Sequence, residues 1–310
     1  MNPITSLLHI QYPIIQGGMA HIATHELAAA VSNAGGLGLI AGGAETKETI
    51  RERIRLCKQL TNKPFGVNIM LMSPFASDLA DVVIEEGVPV VTTGAGNPGP
   101  YVPKWKEAGI KVIPVVASVA LAKRMERLGV DAVICEGMEA GGHIGEITSF
   151  ALIPQIVDAV SIPVIAAGGI ADARGVLAAF ALGAKGIQAG TVFLASKEAP
   201  IHDNYKQMVV DAKDIDTIVT GRSTGAPVRV LKNPMAREYL RMEKDHIPLM
   251  EMEKLTIGSL RRAVKDGNIE SGSFMAGQVA GLVKEIRSCE TIIHDLFHPV
   301  PKLLSNLEVL

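Results

Sequence analysis

The sequence predicts an α/β fold, a TIM (β/α)8 barrel carrying a small helical C-terminal subdomain. Three observations predict it. Eight short, apolar, β-branched runs alternate with amphipathic stretches up to about residue 210, the pattern of parallel strands joined by crossover helices. The 310-residue chain is 48% hydrophobic yet only 4% aromatic, which suits strands covered by helices better than a sandwich. Glycines gather where the strand-like runs end, and in a barrel those ends form the face on which chemistry is built.

The strand-like runs are 12–16, 37–41, 65–70, 89–93, 111–116, 132–135, 163–167 and 186–189. The first ends at Gly17-Gly18, the second at Gly42-Gly43 and the fourth at Gly94; the third carries Asn68 inside an apolar run, and the sixth ends at Glu136. The seventh runs through Ala167 into Gly168-Gly169, and the eighth closes with Gln188-Ala189-Gly190-Thr191. Between them, stretches such as 26–31 and 121–128 show helical periodicity. Successive strand ends lie 20 to 26 residues apart, except that 33 residues separate Glu136 from Gly169. The surplus is a loop holding Gly141, Gly142 and His143, and extra length on that face is a functional signal.

Beyond residue 210 the pattern changes. Residues 211–217 are charged, 220–225 read as a loop, and 233–263 are mostly helical. We divide the chain into a barrel (1–210), a small helical subdomain (211–271) and an apolar helix (272–295) that returns to the barrel. A net charge of −2 gives no basic patch, so nucleic acid is not an expected partner. No apolar run reaches 18 residues and no secretory leader is visible, so no membrane association is expected. Cys57, Cys135 and Cys289 show no pairing or ligand spacing, consistent with a cytoplasmic location. No metal-binding motif and no Gly-x-Ser-x-Gly elbow occur, so no metal is expected and a cofactor carries the hard chemistry.

The residues at the strand ends suggest how such a cofactor is held. Gly168, Gly169, Gly190 and Thr191 lie where barrels bind phosphate, with backbone amides and a helix N-terminus as donors. In Gln16-Gly17-Gly18-Met19, glycine backbone can approach a flat ring system and Met19 offers an adaptable apolar contact. Asn68 either bonds a ligand's polar atoms or caps neighbouring backbone. Glu136 bonds a ligand hydroxyl or a nearby cation, because a buried carboxylate needs a partner. Of eight histidines, His143 alone follows two glycines in the surplus loop, which makes it the acid or base candidate.

Together these stretches resemble the flavin-dependent enoyl-[acyl-carrier-protein] reductase II branch of the nitronate monooxygenase (2-nitropropane dioxygenase) family. The resemblance rests on Tyr-Pro-Ile-Ile-Gln-Gly-Gly-Met-Ala at 12–20, Lys-Pro-Phe-Gly-Val-Asn-Ile-Met-Leu at 63–71 and Val-Thr-Thr-Gly-Ala-Gly-Asn-Pro at 91–98. It rests also on Glu-Gly-Met-Glu-Ala-Gly-Gly-His-Ile-Gly at 136–145, on 161–172 and on Phe-Met-Ala-Gly-Gln at 274–278. It covers nearly the whole chain and departs mainly after Met242. It implies an FMN-containing barrel in which NADH or NADPH reduces the flavin and a trans-2-enoyl thioester, borne by acyl carrier protein, is reduced in fatty-acid elongation. His143 would then act beside the flavin. Gly168-Gly169 and 188–191 would hold the phosphate. Asn68, 16–19 and Glu136 would contact the ring and ribityl chain, with Gln278 a further contact. The family is also linked to activation by a monovalent cation, and a homodimer is the expected assembly. Two alternatives share the barrel. One is a nitronate monooxygenase that uses oxygen, with His143 as the base. The other is a catalytically silent barrel that binds a phosphate ligand.

Overall fold

The computed structural model describes residues 2–43 and 45–307. Eleven strands are formed among them: β1 (Ile14–Gln16), β2 (Gly38–Ala41), β3 (Phe65–Met70), β4 (Val90–Gly94), β5 (Lys111–Val116), β6 (Val133–Glu136), β7 (Gly142–His143), β8 (Val164–Ala167), β9 (Gly186–Ala189), β10 (Thr217–Thr220) and β11 (Val228–Leu231). Eight of them form one parallel sheet in the order β1-β9-β8-β6-β5-β4-β3-β2. The sheet closes on itself where Leu37 bridges Ile15, its amide donating to Ile14 O and its carbonyl accepting from Gln16 N, both at 2.9 Å. This is the expected (β/α)8 barrel. All eight predicted runs contribute a barrel strand. The runs at 89, 163 and 12–13 begin slightly early, because each starts at or just before a proline that has no amide to give the ladder.

Two apolar layers hold the barrel together. Ile15, Leu37, Leu39, Val90, Ile113, Ile134 and Ile165 fill the interior. A larger layer packs the outer faces of the strands against the helices. The interior layer also takes in Ile4 and Leu8 from the helix Pro3–Leu8, which plugs the end of the barrel where the strands begin. That helix was not anticipated, although its start was written in the sequence. Asn2 Oδ1 accepts from Ile4 N at 2.8 Å and Thr5 N at 3.3 Å, and Pro3 occupies the first helical position.

The C-terminal third departs from the helical expectation in two places. Residues 217–231 form an antiparallel hairpin, β10–β11, and β11 pairs with β7 to complete a three-stranded sheet. Its strands are only four residues long, too short for periodicity to separate them from a loop. Residues 272–282 do not form an apolar helix. They run extended past β11, with Leu231 N donating to Phe274 O at 2.8 Å, and tighten into a 3-10 turn only at Gln278–Leu282. Gly272, Gly277 and Gly281 explain this, since each lowers helix propensity and each is pressed against other chain: a Cβ on Gly277 would lie 2.7 Å from Glu139 O. The returning helix is Cys289–Phe297, capped by Ser288, whose hydroxyl accepts from Thr291 N at 3.1 Å. It lies against the helices His25–Asn33 and Ala173–Ala181. Among the described residues, no helix is long and apolar enough to cross a membrane.

Candidate active site

The barrel gathers Gln16, Gly17, Gly18, Met19, Asn68, Glu136, Ala167, Gly168, Gly169, Gln188, Ala189, Gly190 and Thr191 at the C-terminal ends of β1, β3, β6, β8 and β9. Contacts across the mouth link several of them. Gly17 N donates to Ala189 O at 2.8 Å, joining β1 to β9. A Cβ on Gly18 would lie 2.4 Å from Asn68 Cγ, so the backbone there lies directly on the Asn68 side chain. Asn68 Nδ2 donates to Thr92 Oγ1 at 2.9 Å, and among the described residues its Oδ1 meets no donor. A Cβ on Gly190 would sit 3.4 Å from Met19 Sδ. The Gln16 side chain is spent internally. It is fully buried, its Oε1 accepts from Leu39 N at 3.0 Å and its Nε2 donates to Gly17 O, so only its backbone is left to face a ligand.

Glu136 ends β6 half-buried, and among the described residues no donor reaches its carboxylate. Burial pushes its pKa up to about 7, because desolvation penalises the charged form. Cys135, beside it, is driven by burial to about 12, so its thiol stays protonated and takes no nucleophilic part.

The two candidate phosphate loops differ. Gly168 and Gly169 hold φ of +86° and +76°, a left-handed pair that a side chain would strain. The helix after them, Ala173–Ala181, was expected to lend its N-terminus, but Asp172 already fills that end: its Oδ1 accepts from Arg174 N at 2.9 Å and Gly175 N at 3.2 Å. By contrast the short helix Thr191–Leu194 has no side-chain cap. Among the described residues the amides of Gly169 and Gly190 meet no acceptor. Thr191 Oγ1 accepts from Gly277 N at 2.9 Å, which leaves its proton free to donate.

The loop that carries Gly141, Gly142 and His143 is braced by side chains that sequence reasoning passed over. The Glu139 carboxylate accepts from Ser149 N at 2.9 and 3.0 Å and from Ser149 Oγ at 3.0 Å, capping the helix Ser149–Val157. Ser149 Oγ also lies 2.9 Å from Gly168 O, tying this loop to the one after β8. Arg229, 4% exposed, donates Nη2 and Nε to Met138 O at 3.0 and 3.3 Å and Nη1 to Thr217 Oγ1 at 3.2 Å. Burial, and then the nearby Arg222 charge, pull its pKa below the ordinary arginine value, with Glu139 opposing them. The signal for both residues was the chemistry itself: a second glutamate in the glycine loop, and an arginine inside a Val-x-Val run.

His143 stands on β7, opposite Val228 of β11. Its backbone is fixed, while its side chain is exposed and meets no hydrogen-bonding partner among the described residues. Gly141 packs so tightly that a Cβ would lie 2.6 Å from Ala276 C, and Gly142 holds φ +76°. Gln278 joins the site through its backbone, its amide donating to Glu139 O at 3.0 Å, and its side chain is exposed. Among the described residues, no group of three or more histidine, cysteine, aspartate or glutamate side chains could hold a metal.

A (β/α)8 barrel with open glycine backbone, an unpartnered carboxylate and an exposed histidine at one mouth is built like a cofactor-bearing oxidoreductase, and comparison with known proteins makes that class a flavin oxidoreductase. Residues 1–298 match the family model described as Nitronate monooxygenase, and the chain belongs to that family. It is similar to FabK from Thermotoga maritima, at 53% identity and a TM-score of 0.97 over 99% of this chain and 98% of that one. It is similar also to nitroalkane oxidase from Streptomyces ansochromogenes, at 28% identity and a TM-score of 0.87 over 98% of this chain and 99% of that one. A probable nitronate monooxygenase of Staphylococcus saprophyticus is 36% identical over 91% of this chain and 93% of its own length. A hydroxy-methyl-oxo-octahydroindene-carboxyl-CoA dehydrogenase of Mycobacterium tuberculosis is 33% identical over 95% and 94%.

Proposed function

We propose that this protein reduces trans-2-enoyl thioesters carried by acyl carrier protein to the saturated acyl thioesters, using NADH or NADPH and a bound FMN. The observation that carries the reading is the 53% identity to FabK along essentially the whole chain, the enoyl reductase branch that the motifs resemble.

The mouth suits an FMN. The free amides of Gly169 and Gly190, with the Thr191 hydroxyl, would hold the phosphate. Glu136, which has no protein donor among the described residues, would accept from ribityl hydroxyls. The unpaired Asn68 Oδ1 and the backbone of Gly17, Gly18 and Met19 would meet the ring. When bound, FMN would supply the chemistry of hydride transfer from the nicotinamide to the thioester β-carbon. The α-carbon then needs a proton, and His143 supplies it from its nitrogen, an imidazole being a competent general acid near neutral pH. The brace of Glu139, Ser149 and Arg229 fixes the backbone from which His143 reaches. Gly141, Gly142 and Gln278 keep the loop closed against the C-terminal segment.

A second reading, oxidation of nitronates by oxygen, draws on the 36% identity to a probable nitronate monooxygenase. There His143 would serve as base rather than acid. Anaerobic mixing of the flavoprotein with NADH and a crotonyl thioester separates the two. Thioester-dependent NADH oxidation is the expected result. Oxygen consumption with a nitronate, and no response to any thioester, would overturn the reductase reading.

A further inference from the structure

The hairpin beside His143 ends in an arginine that the site described so far does not use. The turn Gly221-Arg222-Ser223-Thr224-Gly225 joins β10 to β11, with φ of +78° at Gly221 and +74° at Gly225. It is tied down rather than loose. The Glu243 carboxylate accepts from Gly221 N at 3.2 Å, Ser223 N at 2.9 Å and Ser223 Oγ at 2.6 Å. Thr224 Oγ1 donates to Gly221 O at 2.9 Å. Thus a carboxylate grips the residues on both sides of Arg222. Even so, no carboxylate of the described residues, Glu243 included, lies within 4.0 Å of the Arg222 guanidinium. Arg222 is exposed and meets no hydrogen-bond acceptor among the described residues. Among the exposed arginines of the barrel wall, Arg55 and Arg174 are paired with carboxylates, whereas Arg124 and Arg127, like Arg222, are in no ion pair among the described residues.

Register places this cation relative to the chemistry. Thr220 pairs with Val228, and Val228 with His143. Thr220 therefore stands two strand spacings, about 10 Å, from His143 across the small sheet, and Arg222 follows two residues on. His143 and Arg222 thus belong to one small sheet and its turn. The buried Arg229 lies close enough to feel the Arg222 charge and adds positive potential there.

We propose that Arg222 binds the phosphate of a phosphopantetheine arm, so that it selects thioesters carried on that arm by their far end. This rests on the proposed thioester reduction and adds the residue that recognises the carrier. A planar guanidinium held on a pinned turn suits a phosphate, because a charge-assisted pair needs a fixed donor geometry. Coenzyme A and acyl carrier protein both present the same phosphopantetheine.

The test compares crotonyl-pantetheine with crotonyl-phosphopantetheine, which differ only in the phosphate, on the flavin-loaded wild type and on Arg222→Ala and Arg222→Lys. The wild type should show the lower KM for the phosphorylated arm. Arg222→Ala should raise that KM roughly 5- to 10-fold, the weight of one solvent-exposed charge-assisted hydrogen bond, and leave crotonyl-pantetheine and kcat unchanged. Arg222→Lys should recover part of the loss, and added salt should weaken the wild-type preference. Equal effects on both thioesters, or none on either, would overturn the assignment. Failure of the wild type to reduce either thioester would instead sink the proposed function. Repeating the series with crotonyl-coenzyme A and crotonyl-acyl carrier protein tells the sources apart: a defect confined to one names that carrier, and a defect with neither refutes the proposal.

Discussion

Glu136 gives the sharpest quantitative prediction. Its carboxyl titrates at about 7 instead of 4.5 because burial disfavours the ion and no protein donor among the described residues offsets that. Between those two values the folded chain holds a proton that the unfolded chain has released. Stability of the apoprotein therefore falls as pH rises through that window. Fully ionised, the group costs about 2–3 kcal/mol, the lower end allowing for water that reaches a half-buried carboxylate. Glu136→Gln removes the titrating proton. At pH 5 variant and wild type should unfold in urea with nearly equal free energies, and by pH 8 the variant should be the more stable by about 2 kcal/mol. Hydroxyl groups of a bound flavin would donate to the ionised form and draw the pKa back down. Flavin binding should therefore release about half a proton at pH 7 and close to one near pH 6, read by calorimetry in two buffers of different ionisation heat. A stability difference that does not change between pH 5 and 8 would refute the reasoning, because it would mean that the carboxyl titrates normally.

Three further outcomes test the rest of the mouth. His143→Ala should retain flavin and lose roughly 10²- to 10⁴-fold in thioester-dependent turnover; near-normal turnover would demote the histidine. Gly18→Ala puts a methyl 2.4 Å from Asn68 Cγ, and the strain of roughly 1–3 kcal/mol should displace Asn68 from Thr92 and lower the flavin-to-protein absorbance ratio. An unchanged ratio would show that Asn68 does not serve the ring. Arg229→Met removes the donors to Met138 O and Thr217 Oγ1. It should destabilise by about 2–3 kcal/mol and open residues 138–147 to limited proteolysis; an unaltered cleavage pattern would mean that the loop does not depend on that brace.

The barrel was legible because each strand is an apolar run bounded by glycine or proline, and the closing bridge at Leu37 needs no further signal. Glycines and isolated polar residues at strand ends likewise disclosed where Asn68, Glu136, Gly169 and Gly190 would meet. What escaped were contacts between distant segments. A second glutamate in the glycine loop made Glu139 notable, but did not announce that it caps a helix at Ser149. The capping of Ala173–Ala181 by Asp172 was visible as an aspartate before a helix, yet a phosphate was assigned to that end. The hairpin at 217–231 has strands of four residues, and its meaning lies in a partner, β7, whose His143 pairs with Val228, 85 residues (228 − 143) further along the chain. Residues 272–282 looked apolar enough for a helix, and only the crowding of Gly277 and Gly281 against other backbone decides otherwise.

Pairing of β7 with β11 puts His143 on the small sheet, whereas the glycines after β8 and β9 stand on the barrel. Among the side-chain contacts described, Ser149 joins the two, held by Glu139 and bonded to Gly168 O. On the proposed reading, a change in the hairpin's length or twist would shift the acid–base group relative to the strand-end glycines that would hold the cofactor. Reaction choice would then be tuned from the hairpin, through a part of the chain that does not itself bear those glycines.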